Sequence, residues 1–125
     1  PHAVCGRVVE GEGRGSRIGY PTANVRPEEG VAVPGRGVYA CTVRVGEGRY
    51  AACTNVGVAP TFGGRSESLV EAHLLDFEGD LYGLQIEVEF LRRIRGEKKF
   101  GGVEELREQI ARDLLEARRI TNATI

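Results

Sequence analysis

Along this chain, apolar residues recur at every second position over several short stretches, and at three- and four-residue spacing over only one. Residues 4–9 form a short β-branched run that stops at Gly11. In residues 38–45, Tyr39, Cys41, Val43 and Val45 fall on one face and Thr42 and Arg44 on the other, the period of a half-buried strand. Gly46-Glu47-Gly48 reads as a hairpin turn into a further strand at 49–56. Residues 69–77 put Val70, Ala72 and Leu74 on one face, and Glu71, His73 and Leu75 on the other. After a turn at Glu78-Gly79-Asp80, residues 84–91 alternate again. Leu84, Ile86, Val88 and Phe90 point inward, and Gln85, Glu87 and Glu89 outward.

The last segment changes period. Val103, Leu106, Ile110, Leu114 and Ala117 make one helical stripe. Glu104 and Glu105 stand in the first turn, with Arg118 and Arg119 in the expected last turn, an order that complements the helix dipole. Residues 121–125 are expected to be a frayed tail. The pattern is therefore mostly β: five or six antiparallel strands and one C-terminal amphipathic helix. No strand alternates with a helix, which argues against a doubly wound parallel sheet. Closely spaced strands favour a small barrel, which leaves no exposed edges.

Glycine sharpens this picture. It supplies 18 of the 125 residues, about twice the usual ~7%, and it clusters between the strand-like runs as turn punctuation. Residues 10–37 show little periodicity, and a loop this long in a compact domain is usually functional or disordered. It is rich in glycine and poor in apolar residues, so it is expected to order when ligands bind. The length suits a single domain spanning 1–125. A formal charge of −1 leaves no bulk positive field for a nucleic-acid backbone. No apolar run approaches the roughly 20 residues of a membrane span, and no secretion signal opens the chain. Cys5, Cys41 and Cys53 are sparse, odd in number and without Cys-x-x-Cys spacing, as expected of a cytoplasmic protein with small buried thiols. The chain begins at Pro1 instead of Met, which points to one domain of something longer.

Four stretches carry candidate chemistry. Gly11-Glu12-Gly13-Arg14-Gly15-Ser16-Arg17-Ile18-Gly19 could bring backbone N–H groups close to phosphate oxygens, because glycine has no Cβ and tolerates positive φ. Arg14 and Arg17 could add charged donors. The loop is neither a Walker A motif nor a dinucleotide fingerprint, and taken alone it reads equally as a flexible turn. In Pro21-Thr22-Ala23-Asn24, the side chains of Thr22 and Asn24 share a face if the chain is extended. Both offer neutral hard oxygens of the kind magnesium accepts alongside substrate phosphates, although an Asn/Thr turn would use the same residues. Glu71 and His73 project from one side of an otherwise apolar strand. Glu71 could accept a proton and His73 could orient it, or both could simply face solvent. The fourth stretch, Arg95-Gly96-Glu97-Lys98-Lys99-Phe100, is by itself a charged loop before the helix.

Together these stretches resemble the ATP-dependent riboflavin kinases in their bacterial form. Gly6-Arg7-Val8-Val9, the glycine loop and Pro21-Thr22-Ala23-Asn24 look like that family's nucleotide-binding opening. Asn55-Val56-Gly57-Val58-Ala59-Pro60-Thr61-Phe62 is similar to its second signature. Glu71-Ala72-His73-Leu74-Leu75-Asp76-Phe77 with Gly79-Asp80-Leu81-Tyr82-Gly83 is similar to the third, and the run from Phe90 to Phe100 to the fourth. The resemblance spans roughly residues 5–120.

The resemblance implies a closed antiparallel Greek-key barrel with a C-terminal helix. It also implies transfer of the γ-phosphate of ATP to the ribityl 5′-hydroxyl of riboflavin, giving FMN and ADP with magnesium. By position, Gly13, Arg14, Gly15, Ser16, Arg17 and Gly19 would hold the nucleotide, with Thr22 and Asn24 on magnesium and phosphate. Glu71 would be the general base, and Arg95, Glu97 and Phe100 would line the flavin side. Asn55 would hold loops together. In the bacterial form this kinase is usually joined to an adenylyltransferase domain. Because Thr22 and Asn24 are uncharged, metal affinity without nucleotide should be weak. The alternatives are a flavin-binding sensor or regulatory barrel without kinase activity, and a structural barrel whose glycine loop is only a turn.

Overall fold

A computed structural model describes residues 2–9, 22–60, 66–96 and 100–124. Its elements are β1 His2–Val9, β2 Thr22–Pro27, β3 Gly37–Val45, β4 Gly48–Pro60, β5 Ser66–Leu74, β6 Gln85–Arg95 and α1 Val103–Thr124. The strands close into a barrel in the order β1-β2-β5-β4-β3-β6, with every neighbouring pair antiparallel. Consecutive β3, β4 and β5 lie side by side, and β6 returns beside β3. This is the Greek-key arrangement expected from the resemblance.

The barrel interior is filled by alternate residues of all six strands. Val4 and Val8, Ala23 and Val25, Cys41 and Val43, Ala52 and Val56, Val70, Ala72 and Leu74, and Ile86, Val88 and Phe90 form one buried cluster, with Leu81 joining from a loop. A six-strand barrel is narrow, and the alanines at 23, 52 and 72 leave room for the valines opposite. At Gly6 the crossing of β1 and β2 leaves no space for a side chain: a Cβ there would lie 2.3 Å from the Arg26 carbonyl oxygen. Gly46 opens the β3–β4 turn with φ 57°, a conformation that suits a two-residue hairpin connection.

A second core lies outside the barrel. Ile110, Leu114, Ala117 and Ile120 of α1 pack over Val38, Ala40 and Cys53, flanked by Leu75, Leu91, Ile94 and Leu106. Burying an aliphatic side chain contributes about 1.5–3 kcal/mol, so this stripe alone fixes the helix to the sheet. It also explains why β3 is buried on both faces over most of its length.

Several expectations change in the structure; among them, the strand expected at 69–77 is β5, Ser66–Leu74. Part of the stretch read as aperiodic, residues 22–27, is strand β2, hydrogen-bonded to β1 on one side and β5 on the other. That part is therefore built into the barrel and does not await a ligand. Leu84 lies before β6 and is exposed, and β6 runs on to Arg95. Val103 is exposed at the first helical position. The expected frayed tail is helical through Thr124. Ile120 continues the apolar stripe, and the buried Thr121 donates its hydroxyl to the Ala117 carbonyl at 2.7 Å. Arg118 and Arg119 consequently sit short of the last turn, which has no basic residue. They pair instead with Asp76 and Glu116.

Candidate active site

The outward faces of β2, β5 and β4 carry the polar residues that the inward alternation excludes. Because Ala23 and Val25 fill the interior, Thr22 and Asn24 must point out; Val70, Ala72 and Leu74 force the same on Glu71 and His73. The register then makes neighbours of residues far apart in sequence. Thr22 lies opposite His73 and Asn24 opposite Glu71, while Asn55 of β4 faces Glu71 from the other side. Directly opposed residues have Cβ atoms roughly 4.5–5.5 Å apart, so one patch holds a hydroxyl, two carboxamides, a carboxylate and an imidazole.

Two contacts organise the patch. The Thr22 Oγ1 lies 3.2 Å from His73 Nδ1, and His73 Nε2 lies 3.4 Å from Glu71 Oε1. The His73 side chain is 5% exposed and that of Glu71 24%. Imidazole is therefore interior to the patch, while carboxylate reaches solvent. Thr22 and Asn24 offer hard neutral oxygens on one face beside a carboxylate, a donor set that fits a divalent cation already carrying phosphate ligands. Among the described residues no group of three or more His, Cys, Asp or Glu side chains could hold a metal unaided.

Gly13, Arg14, Gly15, Ser16, Arg17 and Gly19 lie outside the described residues. Their anchors are described: Val9, where β1 ends, pairs with Asn24. Val9 and Thr22, the described residues on either side of that segment, therefore lie on neighbouring strands.

Arg95 and Phe100 meet at the junction of β6 and α1, and Glu97 lies outside the described residues. The Arg95 guanidinium is held by the Asp113 carboxylate, with Nη2 at 2.7 Å from Oδ2 and Nε at 3.1 and 3.2 Å from the two oxygens. Its Nη1 donates to the Gly96 carbonyl at 3.0 Å, and its Cζ stands 5.9 Å from the Phe100 ring centroid. Gln109 also donates to Asp113. Arg95 is thus committed to fixing the strand end on the helix. Asp113 and Gln109 are neighbours of Arg95 that sequence reasoning missed. The signal was present, since an aspartate at 113 interrupts the stripe of Ile110, Leu114 and Ala117. Beside them, Phe100, Glu105, Glu108, Gln109 and Arg112 line an open cleft of about 190 Å³.

One row of register partners links the two regions. Arg95 pairs with Val38, Val38 with Asn55, Asn55 with Glu71 and Glu71 with Asn24. Arg95 and Glu71 are three strand spacings apart along the outer surface, about 14 Å at 4.7–4.9 Å per strand.

A family model for riboflavin kinase (flavokinase) matches residues 1–121. The chain belongs to the riboflavin kinase family. The bifunctional riboflavin kinase/FMN adenylyltransferase of Escherichia coli (strain K12) is 45% identical over 125 residues, covering 99% of this chain and 39% of that protein. The protein of the same description from Bacillus subtilis (strain 168) is 41% identical over 119 residues, covering 94% of this chain and 38% of the relative. The chain thus spans about two fifths of the length of these curated relatives.

Among solved structures, riboflavin kinase from Trypanosoma brucei superposes with a TM-score of 0.69 at 25% identity, over 96% of this chain and 79% of its own. A Streptococcus pneumoniae structure described as a macrolide-efflux protein superposes with a TM-score of 0.86 at 38% identity, over 93% of this chain and 38% of its own. Among the described residues of this chain, no helix is long and apolar enough to cross a membrane. The barrel and helix of the chain are shared with that riboflavin kinase structure, in line with its family.

Proposed function

We propose that this domain transfers the γ-phosphate of ATP to the ribityl 5′-hydroxyl of riboflavin, giving FMN and ADP, with magnesium, in the cytoplasm. We further propose that it is the kinase part of a protein that also carries an adenylyltransferase domain, as in the bifunctional relatives. The observation that carries the reading is the outward face on which Asn24, Glu71 and Thr22 are brought together by strand register.

Phosphoryl transfer depends mainly on positioning and charge neutralisation. The anchors of the glycine segment support a phosphate-covering role for Gly13, Arg14, Gly15, Ser16, Arg17 and Gly19. Thr22 and Asn24 would hold magnesium, which when bound neutralises charge on the nucleotide phosphates. Glu71, partly solvent-exposed, is suited to accept the 5′-hydroxyl proton as the oxygen attacks phosphorus. From the family resemblance, the flavin ring would lie towards Phe100, Glu97 and the helix and its ribityl chain would reach towards Glu71; the register row from Glu71 to Arg95 runs round the barrel and passes under α1 at Val38. On this reading Arg95 shapes the flavin side by holding Phe100 and α1.

The test is direct. Incubation with ATP, magnesium and riboflavin should give FMN and ADP in equal amounts. Flavin binding without FMN would favour the sensor reading and overturn this one.

A further inference from the structure

His73 touches both halves of the proposed machinery and is itself closed to solvent. With its side chain 5% exposed, it is too covered to meet a nucleotide or a flavin. A role in the reaction must therefore pass through its neighbours. It has two, one per ring nitrogen: the Thr22 hydroxyl at Nδ1 and the Glu71 carboxylate at Nε2.

The chemistry of those neighbours favours one direction for each contact. Nε2 stands 3.4 Å from Glu71 Oε1, and a carboxylate oxygen has only lone pairs to offer, so this contact favours a hydrogen on Nε2. With its hydrogen directed at Nδ1, the Thr22 oxygen keeps both lone pairs for a cation. A bare Nδ1 is the acceptor that holds it there. We propose that His73 is a positioning residue, an Nε2–H imidazole that locks the Thr22 hydroxyl as a ligand-ready oxygen and aims the Glu71 carboxylate. This inference rests on the kinase reading for the roles of Thr22 and Glu71. It adds that the metal side and the base side are set by one ring.

The register makes the arrangement specific. Thr22 and His73 are directly opposed across β2 and β5, whereas Glu71 lies two residues along β5 on the same face. A single ring is the one group that spans the lateral and the longitudinal neighbour at once.

Two substitutions separate the halves. In His73→Asn the carboxamide oxygen stands near the place of Nδ1 and still accepts from Thr22, but nothing reaches Glu71. In His73→Gln the longer side chain presents an N–H near the place of Nε2 and serves Glu71, but not Thr22. Loss of such a supporting contact typically costs 10- to 100-fold. His73→Asn should therefore lower kcat by about that factor with KM for magnesium–ATP little changed. His73→Gln should raise that KM by a similar factor with kcat little changed. Equal losses in the same parameter from both variants would reduce His73 to a packing residue and overturn the proposal.

A second measurement needs neither folding variants nor turnover. Two-dimensional ¹⁵N spectra of the wild-type imidazoles, in the ligand-free protein at neutral pH, should show His73 with bare Nδ1 and protonated Nε2. Protonated Nδ1 would overturn the proposal. Absence of FMN from the wild-type chain would instead remove the kinase reading and leave this spectrum as an independent result.

Discussion

Replacing Arg95 by methionine would leave the Asp113 carboxylate, 3% exposed, without its cation. Methionine keeps the length and much of the apolar stem of arginine, so packing changes least. What is lost is a three-contact pair with N–O distances from 2.7 to 3.2 Å, while Gln109 still donates to that carboxylate. Removing one partner of a buried pair costs about 3–5 kcal/mol, because the other charge stays desolvated. A domain of this length has total stability of about 6–19 kcal/mol, so the effect is large but survivable. With an unfolding entropy of about 2.1 cal/mol/K per residue, the melting temperature should fall by about 11–19 °C. Replacing both residues, Arg95→Met with Asp113→Leu, removes the orphaned charge and extends the apolar stripe of α1. It should recover at least half of the loss. Urea unfolding followed by circular dichroism reads both variants. A double variant as unstable as Arg95→Met alone would refute the buried-charge account.

Three further outcomes are expected. Glu71→Gln should slow FMN formation by about 10²- to 10⁴-fold while riboflavin binding, read by fluorescence quenching, survives; wild-type turnover would remove Glu71 as the base. Thr54 is fully buried, its hydroxyl faces the weakly bonding Cys41 thiol, and among the described residues it has no stronger partner; Thr54→Val should therefore stabilise by about 1 kcal/mol or more, and a lowered melting temperature would show that the hydroxyl is satisfied. Burial pushes the Cys41 thiol up to about 12 and raises Cys53, while Cys5 is raised by desolvation and by Glu87. Raised values leave little thiolate at pH 8, so a thiol reagent should modify Cys5 slowly in the native protein, and Cys41 and Cys53 only on unfolding.

The strands were legible where one face is buried and the other is not, as at Ile86, Val88 and Phe90. Strand β2 was obscured because its inward residues are only Ala23 and Val25, set between prolines in a glycine-rich stretch. The helix end was misjudged because Thr121 and Asn122 carry no apolar signal, although Ile120 does. The candidate residues Thr22, Asn24 and Glu71 could be picked out from their types and the family pattern. Their mutual placement could not, because strand order and register come from pairings between residues some fifty positions apart. The same reason hid the link of His73 to Thr22. Arg95 by itself read as part of a charged loop, and the family pattern alone placed it on the flavin side. Its partner became visible only when α1 was laid across the end of β6.

The barrel order puts the first strand between β2 and the last strand, with Val4 opposite Val88. During synthesis at about 5–20 residues per second, the partner of Val4 is made roughly 4–17 seconds after it. Until then β1 has an open edge, and the sheet that carries the candidate site has no fixed curvature. The last seam to close is therefore also the one that seats the glycine segment's upstream anchor. A nascent chain has no closed barrel before β6 emerges, and a mutation that slows that seam would lower the yield of folded protein without touching the candidate site.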